Sequence, residues 1–301
     1  MPEADTTGRL AAEQDEQVVE RRLTAKFQDR RYKMNKINAE EFLKNTEENL
    51  FSTGFSEVDE FLQNAERGSI ITIGARPSMG KTSFALSIVN HLLEQNKKIF
   101  YFSPALTAKA VTKRLIASKL QMYFFDLTKK FEEKKDEIVK TLEYFCEKEL
   151  YISDKTNLTI EDIEAEIKEN TPDIVFIDYI QLLKMPKAPN FTDSINLAVQ
   201  ELKRIAAETG VIFVILTQLS RAVEARCDKR PMLSDIRNSS LLEEISDAVL
   251  MIYRDEYYNP DNIENKAIAE IIFAKNSFGP QGIVSLLFTG INFKNRLKVI
   301  F

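Results

Sequence analysis

The residues best placed to do chemistry form the run Gly80-Lys81-Thr82-Ser83, which closes the stretch Ile70-Ile71-Thr72-Ile73-Gly74-Ala75-Arg76-Pro77-Ser78-Met79. A β-branched run, a short turn-prone stretch and an amphipathic segment follow one another there. That is the order of strand, tight loop and helix start that a phosphate-cradling loop requires. In such a loop, backbone N–H groups and the positive end of the following helix hold phosphate oxygens. Lys81 would reach the β- and γ-phosphates, and the Thr82 hydroxyl would ligate magnesium. The expected nucleotide contacts are therefore Arg76, Pro77, Ser78, Met79, Gly80, Lys81, Thr82 and Ser83, with ATP and Mg²⁺ as ligands. Gly80, lacking a Cβ, lets the backbone approach phosphate closely. The strict pattern has glycine where Ala75 stands, and Gly74 comes one residue early. The surrounding strand and helix outweigh that departure.

A phosphate loop needs a carboxylate on a neighbouring strand to hold the metal, and Ile174-Val175-Phe176-Ile177-Asp178 ends in one. Asp178 is the expected second metal residue beside Thr82; the alternative is an aspartate capping the turn that follows. The run Phe213-Val214-Ile215-Leu216-Thr217-Gln218 ends in an amide. Gln218 either senses the γ-phosphate or orders the attacking water, or is a plain loop amide. Lys81, Asp178 and Gln218 make up the expected catalytic set. The sole histidine, His91, lies in the helix after the loop and is expected to pack or face solvent, so no Ser/His or Cys/His nucleophile system is available. Cys146 and Cys227 have neither disulfide-framework nor zinc spacing.

These residues have to be positioned by a sheet. Buried central strands are expected at Ser69–Ile73, Lys98–Phe102, Asp173–Ile177 and Val211–Leu216. Helices are expected at Lys81–Glu94, Ala108–Lys119 and Asp193–Thr209. A further strand at Ala248–Tyr253 leads to Lys266–Ala274 and Ile283–Phe288, joined by the hairpin chemistry of Gly279-Pro280-Gln281-Gly282. The fold class is α/β, a mainly parallel sheet flanked by helices with an antiparallel C-terminal edge. Phe124-Phe125 reads as core, and the Lys129–Lys140 charge run as a solvated helix. Residues 1–48 are charge-dense and poor in aromatics, either a solvated helical or disordered extension and linker or a helix docking on a neighbouring subunit, ahead of one domain over 49–301. Met34 opens a change of style consistent with an internal start or a foreign N-terminal extension. With 301 residues, 44% of them apolar, the chain can bury one large core. No apolar run approaches a bilayer span, so no membrane contact is expected and a cytoplasmic location is. The net charge of −5 means that any contact with nucleic acid is local or made by an assembled ring.

Taken in order, Ala75-Arg76-Pro77-Ser78-Met79-Gly80-Lys81-Thr82, Ile177-Asp178-Tyr179-Ile180-Gln181-Leu182 and Thr217-Gln218-Leu219-Ser220-Arg221 resemble successive motifs of the DnaB-type replicative helicases. Asp228-Lys229-Arg230-Pro231, Ser234-Asp235-Ile236-Arg237 and Ile252-Tyr253-Arg254-Asp255-Glu256 continue the series, so the likeness spans roughly 51–301. The resemblance implies a RecA-like P-loop NTPase core that forms a homo-hexamer or joins a mixed ring with a helicase, uses ATP and moves on single-stranded DNA during replication. It places Arg237, Asn238 and Ser239 at the DNA, against the alternative of an ordinary loop arginine, and Lys275 at the neighbouring subunit's nucleotide.

Three departures fall on chemistry. In Phe102-Ser103-Pro104-Ala105-Leu106, Ala105 stands where the family has the glutamate that activates water, a loss worth about 10²–10⁴ in rate. No spacing encodes Glu57 or Glu60 as its substitute. Ser277 stands two residues after Lys275, where the family has an arginine finger worth about 10³–10⁵ in well-studied NTPases. Arg237-Asn238-Ser239-Ser240 replaces Arg-Glu-Ser-Gly. The family's N-terminal collar has no counterpart in the first 50 residues, which puts a primase contact in doubt; Glu40–Leu50 matches the family's linker helix or any surface helix. Three readings follow: an ATP-dependent helicase, a hydrolysis-impaired paralogue that binds ATP and regulates or joins a helicase ring, and a recombination- or clock-type ATPase, which lacks the later motifs.

Overall fold

The computed structural model describes residues 51–236 and 240–296. The chain enters through α1 (Ser56–Leu62) and continues as β1 (Ile70–Ala75), α2 (Lys81–Glu94), β2 (Ile99–Phe102), α3 (Ala108–Lys119), α4 (Phe124–Lys129) and α5 (Lys135–Cys146). Next come β3 (Leu150–Ser153), α6 (Ile160–Asn170), β4 (Ile174–Ile177), α7 (Phe191–Thr209) and β5 (Ile212–Gln218). The last third holds α8 (Ser240–Ile245), β6 (Ala248–Tyr253), α9 (Asp255–Tyr258), β7 (Ile268–Asn276), β8 (Gly282–Phe288) and β9 (Phe293–Asn295).

Among the described residues the strands make one nine-stranded sheet in the order β3-β2-β4-β5-β1-β6-β7-β8-β9. From β3 to β6 it is parallel, and from β6 to β9 antiparallel. The physical cause is visible strand by strand. β1, β4 and β6 are buried at every position because helices cover both faces, so they read as unbroken apolar runs. β7 instead buries Ala269, Ile271 and Phe273 in alternation, as a strand covered on one face does. One core joins α2, α3 and α5 to one face of the sheet; a second joins α6 and α7 to the other.

The expected helices at α2 and α3 have the stated bounds, and α7 starts earlier, at Phe191, because the Asn190 side chain caps it by accepting the Asp193 N–H at 2.9 Å. The 279–282 hairpin joins β7 to β8 as expected. Several elements had no counterpart in the sequence reading: α1, α4, α8, α9 and β9, and also β3 and α6. β3 is a four-residue strand at the sheet edge, mostly half-exposed. α6 opens with a reciprocal capping box between Thr159 and Asp162, a signal present in the sequence.

The expectation that Phe124 and Phe125 are core is corrected: they are 42% and 64% exposed, and α4 buries Leu127. Adjacent residues on a helix point about 100° apart, so with Leu127 turned inward the short α4 cannot bury Phe124 and Phe125 as well. Both phenyl rings lie under cations instead, Arg114 at 5.6 Å and Lys129 at 4.2 Å. His91 packs as expected, its Nε2 3.1 Å from the Ser52 hydroxyl. Both cysteines are free and exposed. Among the described residues no helix is long and apolar enough to cross a membrane.

Candidate nucleotide site

The register of the parallel strands puts the chemistry at one edge. Ala75 lies opposite Gln218, Ile177 opposite Ile215, and Phe102 opposite Ile177. Ligands of open α/β sheets bind outside these carboxyl ends. The loop after β1 turns through Ser78 (φ 67°) and Gly80 (φ 97°), both left-handed, and α2 begins at Lys81. A side chain at Gly80 would be strained by that φ, and its Cβ would meet the Phe288 and Phe293 rings at 3.1 Å. A cavity of about 360 Å³ opens between this loop and Ala105, Leu106, Arg114, Asp178, Tyr179 and Gln218.

Thr82 and Asp178, 96 positions apart, meet there: the Thr82 hydroxyl donates to Asp178 Oδ2 at 2.8 Å. The buried Tyr101 hydroxyl, from β2, donates to the same oxygen at 2.8 Å. Burial pushes the Lys81 ammonium down to about 8, with the Asp178 carboxylate pulling it partly back. Its Nζ lies 4.3 Å from the centre of the Tyr179 ring. Burial, then Asp178, holds the Tyr101 hydroxyl well above the ordinary phenol range. Arg114 lines the cavity, and its buried Nη1 has no partner in the structure. A cationic donor left unpaired in this way costs free energy that an anionic oxygen would recover.

Three further contacts hold the walls. Arg76 is turned onto Glu224 (2.7 Å) and the Leu219 carbonyl (2.8 Å), so its side chain anchors the loop. Arg254, at the end of β6, donates to the Ser78 carbonyl at 3.1 Å and pairs with Glu256. Gln181 clamps the end of β5, donating to the Thr217 hydroxyl at 2.7 Å and accepting the Gln218 N–H at 3.3 Å.

The cavity thus gathers Arg76, Pro77, Ser78, Gly80, Lys81, Thr82, Ser83, Asp178 and Gln218. Met79 is set apart: its side chain is 1% exposed in the core and its N–H is bonded to the Arg76 carbonyl at 3.3 Å. Lys275 is elsewhere, donating to the Glu243 and Glu244 carbonyls at 2.9 and 2.6 Å. Arg237, Asn238 and Ser239 lie outside the described residues. Tyr101, Arg114, Gln181 and Arg254 were not singled out from the sequence. Of these, Gln181 and Arg254 stood inside the family motifs with no role of their own, and Tyr101 left a trace as a hydroxyl inside an otherwise apolar strand. Asp178 is the one carboxylate among the described residues lining the cavity, and neither Glu57 nor Glu60 joins it. The Thr82 hydroxyl and Asp178 carboxylate offer the hard oxygen donors that magnesium takes, while Lys81 and Arg114 supply positive charge for phosphate.

The family model "DnaB-like helicase C terminal domain" matches residues 51–295. A probable replicative DNA helicase of Trieres chinensis is 36% identical over 249 residues, which cover 79% of this chain and 55% of the relative. The replicative DNA helicase DnaB of Geobacillus stearothermophilus is 36% identical over 245 residues, 78% of this chain and 54% of the relative. The chain therefore spans about half the length of these curated relatives. Among solved structures, one described as an ATPase domain superposes with a TM-score of 0.80 at 33% identity, covering 86% of this chain and 96% of that one. A DnaB-like replicative helicase described with its primase interactions superposes with a TM-score of 0.79 at 30% identity, covering 96% and 77%. With a family model matched across the whole described sheet, this chain belongs to the DnaB-like helicase C-terminal domain family.

Proposed function

We propose that residues 49–301 are the RecA-like ATP-binding motor domain of a ring-forming helicase acting on single-stranded DNA, with residues 1–48 as an extension and linker. The observation that carries this is the convergence of Lys81, Thr82 and Asp178 on one cavity at the carboxyl edge of the sheet. Thr82 and Asp178 would hold Mg²⁺, which supplies charge neutralisation at the β- and γ-phosphates. Lys81 binds the same phosphates, Arg114 pairs its free Nη1 with a phosphate oxygen, and Gln218 holds the attacking water. Lys275 lies outside its own cavity, as a group serving a neighbour's nucleotide has to. Arg237, Asn238 and Ser239 contact the DNA backbone, which carries no sequence preference.

A second reading, a ring member that binds ATP and turns it over slowly, is favoured by Ala105. That residue lines the cavity where a second carboxylate is needed, and Asp178 is already engaged by two donors. Steady-state ATP hydrolysis with and without single-stranded DNA, beside a nucleotide titration and a Lys81→Ala control, separates the readings. DNA-stimulated turnover lost in the control supports the motor. Lys81-dependent binding with background turnover supports the accessory ring member. No Lys81-dependent binding overturns both.

A further inference from the structure

We infer that Tyr101 is a positioning residue that orients the Asp178 carboxylate toward the cation of a bound magnesium nucleotide. This deepens the nucleotide site proposed above and rests on it. Tyr101 sits opposite Phe176 in the parallel register of β2 and β4, and its ring stacks on Phe176 at 5.7 Å. Asp178 lies two residues beyond Phe176 and so on the same face of the sheet. A tyrosine at this position reaches Asp178 with its hydroxyl while its ring fills the core; phenylalanine would fill the same space and donate nothing. Residue 101 is 1% exposed, and Asp178 is the partner that satisfies its hydroxyl.

The consequence is geometric. Asp178 Oδ2 accepts from Thr82 on α2 and from Tyr101 on β2, both at 2.8 Å. A single donor leaves a carboxylate free to swing about that one bond, whereas donors from two separate elements fix its plane. Among the described residues no donor reaches Oδ1, the oxygen left for a cation or its water shell. A hydroxyl that ligates a cation through its lone pair still has its proton to give, so both bonds to Oδ2 are compatible with an occupied site.

The test uses the full chain and a fluorescent ATP analogue, titrated with Mg²⁺ and again in EDTA; the ratio of the two affinities measures the coupling of metal to nucleotide. Tyr101→Phe should lower that ratio about tenfold or more, the usual effect of losing an outer-sphere partner of a metal ligand. Its affinity in EDTA should stay at the wild-type value, a pattern that general damage to the site would not give. Phe176→Leu, which disturbs the ring stack and leaves the hydroxyl, should keep the wild-type ratio. Tyr101→Phe with an unchanged or raised ratio overturns the inference and leaves the nucleotide site standing. Loss of the ratio in both variants also overturns it, because packing would then be the cause. A wild-type protein whose binding ignores Mg²⁺ and Lys81→Ala refutes the nucleotide site itself.

Discussion

Ala105→Glu is the substitution that most directly tests how this site handles water. Ala105 follows β2 by three residues, lines the nucleotide cavity and is solvent-exposed. A glutamate there gains a second cavity carboxylate without burying a charge, so stability should move by no more than about 0.5 kcal/mol. Asp178 cannot serve as the base while its Oδ2 accepts from Thr82 and Tyr101 and its carboxylate would hold the Mg²⁺ of the proposed site. A positioned general base is worth about 10²–10⁴ in rate, or roughly 3–5 kcal/mol of barrier. Because the glutamate would enter an exposed turn with no partner to fix its rotamer, the lower end applies, a gain of about 10² in kcat. ATP affinity should stay within about threefold, since the ground state gains no new phosphate contact. Single-turnover and steady-state hydrolysis with single-stranded DNA are the assays. If the site is completed by a neighbouring copy, adding Ser277→Arg should multiply the gain; without a neighbour it adds nothing. Wild-type turnover near the ordinary enzyme value of about 10 s⁻¹, or no gain in Ala105→Glu, would refute the reasoning.

Nucleotide affinity should weaken about tenfold between pH 7 and pH 9. The free-state Lys81 ammonium loses its proton near pH 8, and phosphate binding needs the cation, so affinity is full below that value and falls tenfold per unit above it. Titrations at several pH values check this, and a flat profile in Lys81→Arg confirms the group. Phe84→Ala should destabilise the domain by about 3–5 kcal/mol, with a Tm lowered by roughly 10 °C, since the ring is fully buried between Phe55 and Phe293. Thermal and denaturant unfolding measure it. Gly80→Ala should lose nucleotide binding out of proportion to stability, because its left-handed φ and the two phenyl rings force the loop to shift; calorimetric titration beside a melting curve reads both.

The parts of this site that were legible in the sequence are those whose physics is local. Ile70 to Ser83 announces itself because strand, loop and helix start are contiguous. β4 and β5 do so because burial on both faces demands unbroken apolar runs. Asp178 follows as the first polar residue after its run, and Gln218 as the second after the other, next to Thr217. Arg114 was silent because nothing in the residues around it differs from a surface helix, while Gln181 and Arg254 stood inside family motifs that assigned neither of them a role. They join the site through sheet register, which brings together groups as far apart as Ser78 and Arg254. Phe124 and Phe125 misled for the opposite reason: their type promises burial, but the short α4 turns Leu127 inward and has too narrow an inward face for both.

The same register supports the proposal that Lys275 serves a neighbour. β1, β4 and β5 run in one direction, so their carboxyl ends gather Lys81, Thr82, Asp178 and Gln218 at one edge of the sheet. β7 runs against β6, and Lys275 lies opposite Val249, itself level with Thr72. Ala75, where the phosphate loop begins, is three residues further along, about 10 Å by strand rise and two strands away. A flexible lysine stem cannot span that gap while its ammonium holds the two carbonyls at the end of α8. On the proposed reading a phosphate met by Lys275 is another copy's, and in meeting it the ammonium would exchange the Glu243 and Glu244 carbonyls for phosphate oxygens. A closed ring supplies such a copy to every subunit, whereas an isolated chain leaves Lys275 on its own helix end.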